Sequence, residues 1–224
     1  MDLGLMCANI AKLWTNYWHI YLIEGVLTTL KLTVFAVVLG ALLGVVVAML
    51  KMSKSKIIRF LITAYIEIIR GTPLLLQLML FYFVLPELIP IFDFSEFTWV
   101  AIALCINSSA YVSEIFRSGI QSVDKGQTEA ARSLGLSSRQ TMMRIVMPQA
   151  IKNILPALGN EFIMMLKETS LASTFFIGDL MTSHLIVKGA TFLMLESLII
   201  TGVIYFCMTY PLSKLVEAFE RKMK

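Results

Sequence analysis

The chain has 224 residues, 58% of them apolar and only 15% charged, with a mean hydropathy of +0.79. An ordinary soluble domain is about 45–50% apolar and about 25% charged, so these figures exclude a soluble globular protein and leave an integral membrane protein. The formal net charge of +4 does not point to nucleic acid, because the basic residues cluster beside apolar runs.

At about 20 residues per membrane helix there is room for five or six spans, and the sequence divides into five. An aromatic cluster of Trp14, Tyr17, Trp18 and Tyr21 precedes the first, expected over about 21–50. Its clearest part, Thr33–Leu50, carries no charge and as a helix is about 27 Å long. Ala36, Gly40, Gly44 and Ala48 recur every fourth residue, a spacing that lets helices approach closely. Packing within the subunit is the expected use of that stripe. The second span, about 57–85, is interrupted by Glu67, Arg70 and Gly71-Thr72-Pro73, which predicts a break at mid-depth. The third is expected at about 97–116, the fourth at about 151–166 and the fifth at about 191–212. Residues 167–190 read either as an outer loop or as a re-entrant segment.

Lys and Arg orient the chain through their excess on the cytoplasmic side. Four lie in 51–59, six in 117–152 and four in the C-terminal tail, against three on the other side and two inside spans. This places the N-terminus outside and the C-terminus in the cytoplasm of a multi-pass membrane protein. Cys7, Cys105 and Cys207 are scattered, with no CxxC spacing, so neither a disulfide framework nor a metal site is indicated. The N-terminus lacks the basic region of a signal peptide.

The cytoplasmic loop, 122–148, is patterned as folded structure. Thr128–Leu134 reads as a short helix ending at Gly135, a left-handed cap residue. Ser137 with Gln140 has the spacing of a capping box that opens a second helix. Leu134 and Leu136 give the turn an apolar knob. Within this loop, Glu129-Ala130-Ala131, Gly135 and Ile145-Val146-Met147-Pro148 resemble the EAA motif of ATP-binding-cassette importer permeases, with Met147 where leucine is usual. Glu67-Ile68-Ile69-Arg70-Gly71-Thr72-Pro73-Leu74, Leu155-Pro156-Ala157-Leu158-Gly159-Asn160-Glu161 and Leu166-Lys167-Glu168-Thr169-Ser170-Leu171 resemble the polar amino-acid uptake subfamily (histidine, arginine and glutamine).

The resemblance implies an all-α type I transmembrane domain of five helices with a cytoplasmic coupling helix. It works beside a second permease subunit, identical or closely similar. Glu129 would be the electrostatic anchor of the coupling helix in an ATPase groove, Gly135 its turn and Ala130 and Ala131 its packing surface, with Leu134 and Leu136 beside them. The partners implied are ATPase subunits and an extracytoplasmic binding protein. No phosphate-binding GxxxxGK[ST] loop occurs in the chain, so ATP and Mg are left to the ATPase, and the chain is expected to have no cofactor and no enzymatic activity of its own.

Polar groups inside apolar spans are costly and mark pathways or mutual pairs. Asn107, Tyr111, Glu114 and Ser118 share one face of the third span and suit either a pathway lining or a hydrogen-bonded seam, Glu114 also being placed to pair with Arg117. Asn160 and Glu161 fall near mid-depth of the fourth span. Glu161 either binds a cationic ligand or pairs with Arg70 or Lys31. Glu67 and Arg70 are expected to neutralise each other. Thr72, Gln77 and Tyr82 follow the Gly-Thr-Pro break, where polar contacts to substrate are available. His184 is expected at the surface.

The function expected is ATP-driven import of polar amino acids by alternating access, with basic ones (arginine, lysine, histidine) favoured and glutamine or glutamate the alternative. A secondary transporter would show inverted repeats, and a membrane redox subunit would show paired histidines or cysteine clusters. Neither pattern is found.

Overall fold

A computed structural model describes residues 3–223, and every regular element among them is helical. The first span reaches further back than its apolar run suggests. Helix α1 (Leu3–His19) passes through a π-helical turn (Ile20–Val26) into α2 (Leu27–Lys51) without a break, one rod of 49 residues. Helix α3 (Lys56–Gly71) is capped by the Ser55 hydroxyl, which accepts from the Ile58 N–H. The expected break follows it. From α3 the chain bends by 106° into α4 (Leu74–Met79), which continues through a π turn (Leu80–Val84) to α5 (Leu85–Leu88).

Helix α6 (Glu96–Gln121) is the centre of the bundle, with buried residues along most of its length. The stripe Ala36, Gly40, Gly44 and Ala48 is buried against it. A Cβ on Gly40 would stand 2.8 Å from the Ser108 Cβ, and one on Gly44 2.7 Å from the Val112 Cβ. The stripe therefore packs inside the subunit, as the spacing predicts, with backbone nearly against side chain.

Two short helices, α7 (Lys125–Ser133) and α8 (Ser138–Thr141), fill the loop before α9 (Met147–Glu168). Residues 167–190 are mostly helical. A 3-10 turn (Thr169–Phe175) leads to α10 (Leu180–Thr191), bent by 44° from the preceding helix. Asp179 caps α10 through the Met181 N–H. The last helix, α11 (Met194–Met223), contains Pro211. Three helical stretches among the described residues are long and apolar enough to cross a bilayer alone, and the two bent pairs bring the number to at most five.

The structure corrects one expectation in this region. His184 is only 2% exposed, because the segment read as loop or re-entrant turn is a helix packed between the π turn and α11. Its Nδ1 lies 3.0 Å from the Ser197 hydroxyl, which also meets the Tyr21 hydroxyl at 2.5 Å. Ser197 thus ties the consecutive helices α10 and α11 to the π turn far away in sequence. Ser197→Ala leaves two buried polar groups short of a partner, at an expected cost of about 1–3 kcal/mol each. Thermal unfolding in detergent measures this. A melting temperature equal to the parent's would show that the three groups do not depend on one another.

Candidate functional site

Between α3, α6 and α9 lies a cavity of about 460 Å³. It brings together five of the predicted residues, Tyr111, Glu114 and Ser118 from α6 and Asn160 and Glu161 from α9, with Arg70 and Arg117 beside them. The α9 contribution follows from helical spacing, since Ala157, Asn160, Glu161 and Met164 occupy one face.

Glu161 is 4% exposed, and its carboxylate accepts from the Ser108 hydroxyl at 3.1 Å. No cation among the described residues lies within ion-pair distance of it: Lys31 is exposed, and Arg70 is engaged elsewhere. A carboxylate taken out of water without a counter-charge is unfavourable, so a cation arriving in this cavity meets a group in need of one.

The other charged groups of the cavity carry a basic excess. Glu114 is held by Lys51 at 2.6 Å, by Arg117 at 2.7 Å and by Arg70 at 3.8 Å. The Arg70 guanidinium also sits over the Tyr111 ring, 5.4 Å from its centroid. The expected pairing of Glu114 with Arg117 is present. The expected pairing of Arg70 with Glu67 is not: Glu67 is exposed, and Glu114 is the carboxylate that Arg70 meets. Arg70 stands at the end of α3, which packs on α6, and this tertiary approach overrides the local i, i+3 spacing.

Thr72, Gln77 and Asn107 are absent from the cavity lining and form a knot of their own. Pro73 has no N–H, so the Ile69 carbonyl loses its helical donor. The Gln77 amide replaces that donor, giving hydrogen bonds to Ile69 O at 2.7 Å and to the Thr72 hydroxyl at 2.9 Å. Asn107 in turn donates to Gln77 Oε1 at 2.9 Å. Tyr82 stacks on Phe175 with centroids 4.5 Å apart, likewise away from the cavity lining.

Sequence reasoning missed two participants. Ser108 carries no signal beyond being polar in an apolar span. Arg70 carried the signal of an intramembrane charge and was read as a partner for Glu67, or for Glu161, rather than as part of a cavity lining.

The loop 122–148 has the predicted local chemistry. Gly135 has φ +87°, a left-handed conformation open to glycine. The Leu136 N–H donates to Ala131 O at 3.1 Å and the Gly135 N–H to Arg132 O at 3.0 Å, the paired bonds of a Schellman motif. Ser137 and Gln140 form the capping box in both directions. Glu129, Ala130 and Leu134 are exposed, Leu134 by 84%. Ala131 is buried and Leu136 half-buried, so the two alanines face differently. The outward face of α7 carries a carboxylate and a large apolar residue with no cover within this subunit.

Residues 36–224 match the family of binding-protein-dependent transport system inner membrane components. The chain belongs to this family of membrane-embedded permease subunits, which are not enzymes. It is 41% identical over 204 residues to the arginine transport system permease protein ArtQ of Bacillus subtilis, covering 91% of this chain and 93% of that one. The putative glutamine transport system permease protein GlnP of Rickettsia bellii is also 41% identical, over the same shares. A crystal structure of an amino acid ABC transporter with histidines superposes with a TM-score of 0.88 at 49% identity, covering 93% of this chain and 96% of that one.

Proposed function

We propose that this chain is the permease subunit of an ATP-driven importer of polar amino acids, with basic ones favoured, and that the cavity at Glu161 is its substrate site. The observation that carries the reading is the polarity of that cavity: a buried carboxylate without a cation, and Arg70 elsewhere in the lining. An α-amino acid is a dipole with a carboxylate at one end. Arg70 receives that carboxylate, as guanidinium groups do in a fork geometry. Glu161 receives a cation, with Asn160 and Tyr111 lining the space between. A side-chain ammonium or guanidinium is the cation for arginine, lysine or histidine. Glutamine is the second reading, since its α-ammonium suits Glu161 equally and a relative named for glutamine is as similar as one named for arginine.

Thr72, Gln77 and Asn107 act as the frame that holds the α3 break, and Glu114 as the group that aligns Arg70. In the proposed machine, the outward face of α7, with Glu129, Ala130 and Leu134, docks in a groove of an ATPase subunit that binds ATP and Mg. Gly135 and Leu136 form the turn, and Ala131 packs its root. Two permease subunits rock between outward and inward states, and an extracytoplasmic binding protein delivers the substrate. The N-terminus lies outside and the C-terminus in the cytoplasm.

The test is ATP hydrolysis by the permease–ATPase complex in liposomes, titrated with binding protein and a panel of amino acids. Stimulation by arginine, lysine or histidine and not by glutamine is expected. Stimulation by glutamine or glutamate alone would move Glu161 to the α-ammonium. A permease that associates with no ATPase would overturn the reading.

A further inference from the structure

The face of α9 that lines the cavity at Glu161 continues beyond the cavity's end. Ala157, Asn160, Glu161 and Met164 belong to the lining, and the same helical spacing reaches Glu168 one turn further on. Glu168 is the last residue of the helix and stands outside the lining. Its Oε2 is buried and has no hydrogen-bond partner. No Lys, Arg or His among the described residues lies within ion-pair distance of its carboxylate, and the neighbouring Lys167 is exposed.

A structural role gives no reason for a carboxylate at this position. An oxygen shut away from water has lost hydration that nothing replaces. A negative charge in the last turn of a helix meets the negative end of its dipole. An ionisable group in a membrane-spanning helix is costly and by default marks a route for solute. Glu161, about 10 Å away along the axis, is likewise without a cation, and Met164 lies between the two on the same face. In the proposed orientation Arg117, Ser118 and Ala157 place the open part of the cavity toward the cytoplasm, and Glu168 lies past its closed end on the outer side.

We infer that Glu168 is the carboxylate that receives the cationic group of the cargo on the outer side, before the cargo passes Met164 to reach Glu161. The inference rests on the reading of Glu161 as the substrate site and on the proposed orientation. In the inward-facing state Glu168 is sealed behind Met164. Opening of the outer path uncovers it and gives its charge a partner. Two carboxylates spaced along one helical face hand a cation inward without leaving it far from a counter-charge in a medium of low dielectric.

The test uses the permease–ATPase complex with its binding protein in liposomes. Glu168→Gln is expected to raise KM for labelled arginine about tenfold with kcat little changed, because the lost contact acts on capture and not on turnover. Glu168→Asp keeps the charge and is expected to restore most of that loss, and both variants should melt with the parent. A Glu168→Gln protein with lower kcat and melting temperature at an unchanged KM would show a structural role and overturn the inference. A single-cysteine Glu168→Cys chain, with Cys7, Cys105 and Cys207 replaced, reports exposure directly. An impermeant maleimide on the outer face is expected to label it severalfold faster in the complex trapped with ATP and vanadate than without nucleotide. Equal labelling in the two states would overturn the inference as well. Glu161→Gln, run alongside, separates this inference from the reading beneath it. Uptake lost with Glu161→Gln and parental with Glu168→Gln overturns the role of Glu168 alone, whereas parental uptake with Glu161→Gln overturns both.

Discussion

Glu161→Gln is expected to lower kcat/KM for uptake of a basic amino acid by about two to three orders of magnitude. Breaking one partner out of a buried charge pair costs about 3–5 kcal/mol, and every 1.4 kcal/mol is about tenfold. The protein itself should remain folded. Glutamine keeps the oxygen that accepts from Ser108, and a buried neutral amide is less unfavourable than an unpaired charge. Uptake of labelled arginine and of labelled glutamine into ATP-loaded proteoliposomes, compared side by side, gives the answer. A loss confined to arginine assigns Glu161 to the side-chain cation, and equal losses assign it to the α-ammonium. Unchanged uptake of both, at normal expression, would remove Glu161 from the substrate site.

The second large effect is structural. Gly44→Ala places a methyl group 2.7 Å from the Val112 Cβ and 2.9 Å from the Ser109 carbonyl oxygen, closer than carbon approaches either. Overpacking of this kind costs typically about 1–3 kcal/mol. Here the neighbours belong to the most buried helix of the bundle, which has little room to yield. Gly44→Ala is expected at the upper end of that range, and Gly44→Leu is expected to yield no folded chain. Gly202, on α11 with open space where its Cβ would be, is the control, because Gly202→Ala should leave the melting temperature unchanged or higher. A Gly44→Ala protein that melts with its parent would show that α2 stands further from α6 than the structure places it.

What the sequence revealed correctly was short-range. Gly135, the Ser137–Gln140 capping box and the break at Pro73 depend on bonds between residues a few positions apart, and each is where the pattern puts it. The small-residue stripe was legible for a similar reason, since only a close neighbour gives such spacing a use. Partner choice over long range was not legible. Arg70 has Glu67 three residues away and takes Glu114 instead, because α3 packs on α6. His184 looked solitary because Ser197 and Tyr21 are far off in sequence and carry no mark of being its partners. Asn107 shares the helical face of Tyr111 and Glu114, yet its amide is drawn to Gln77 at the break. A helical face tells which residues point together and not how far along it a cavity extends.

The charge count around Glu114 bears on the return of cargo. One carboxylate faces Lys51, Arg70 and Arg117, a surplus of positive charge in and beside the cavity that holds Glu161. In the proposed orientation this surplus lies toward the cytoplasm. A like-signed field lowers the local concentration of a charged solute, so on the proposed reading of a basic cargo, cytosolic arginine or lysine is held back from an open inward cavity. Three cations gathered on one shared carboxylate restrain back-flow in this way without any moving part.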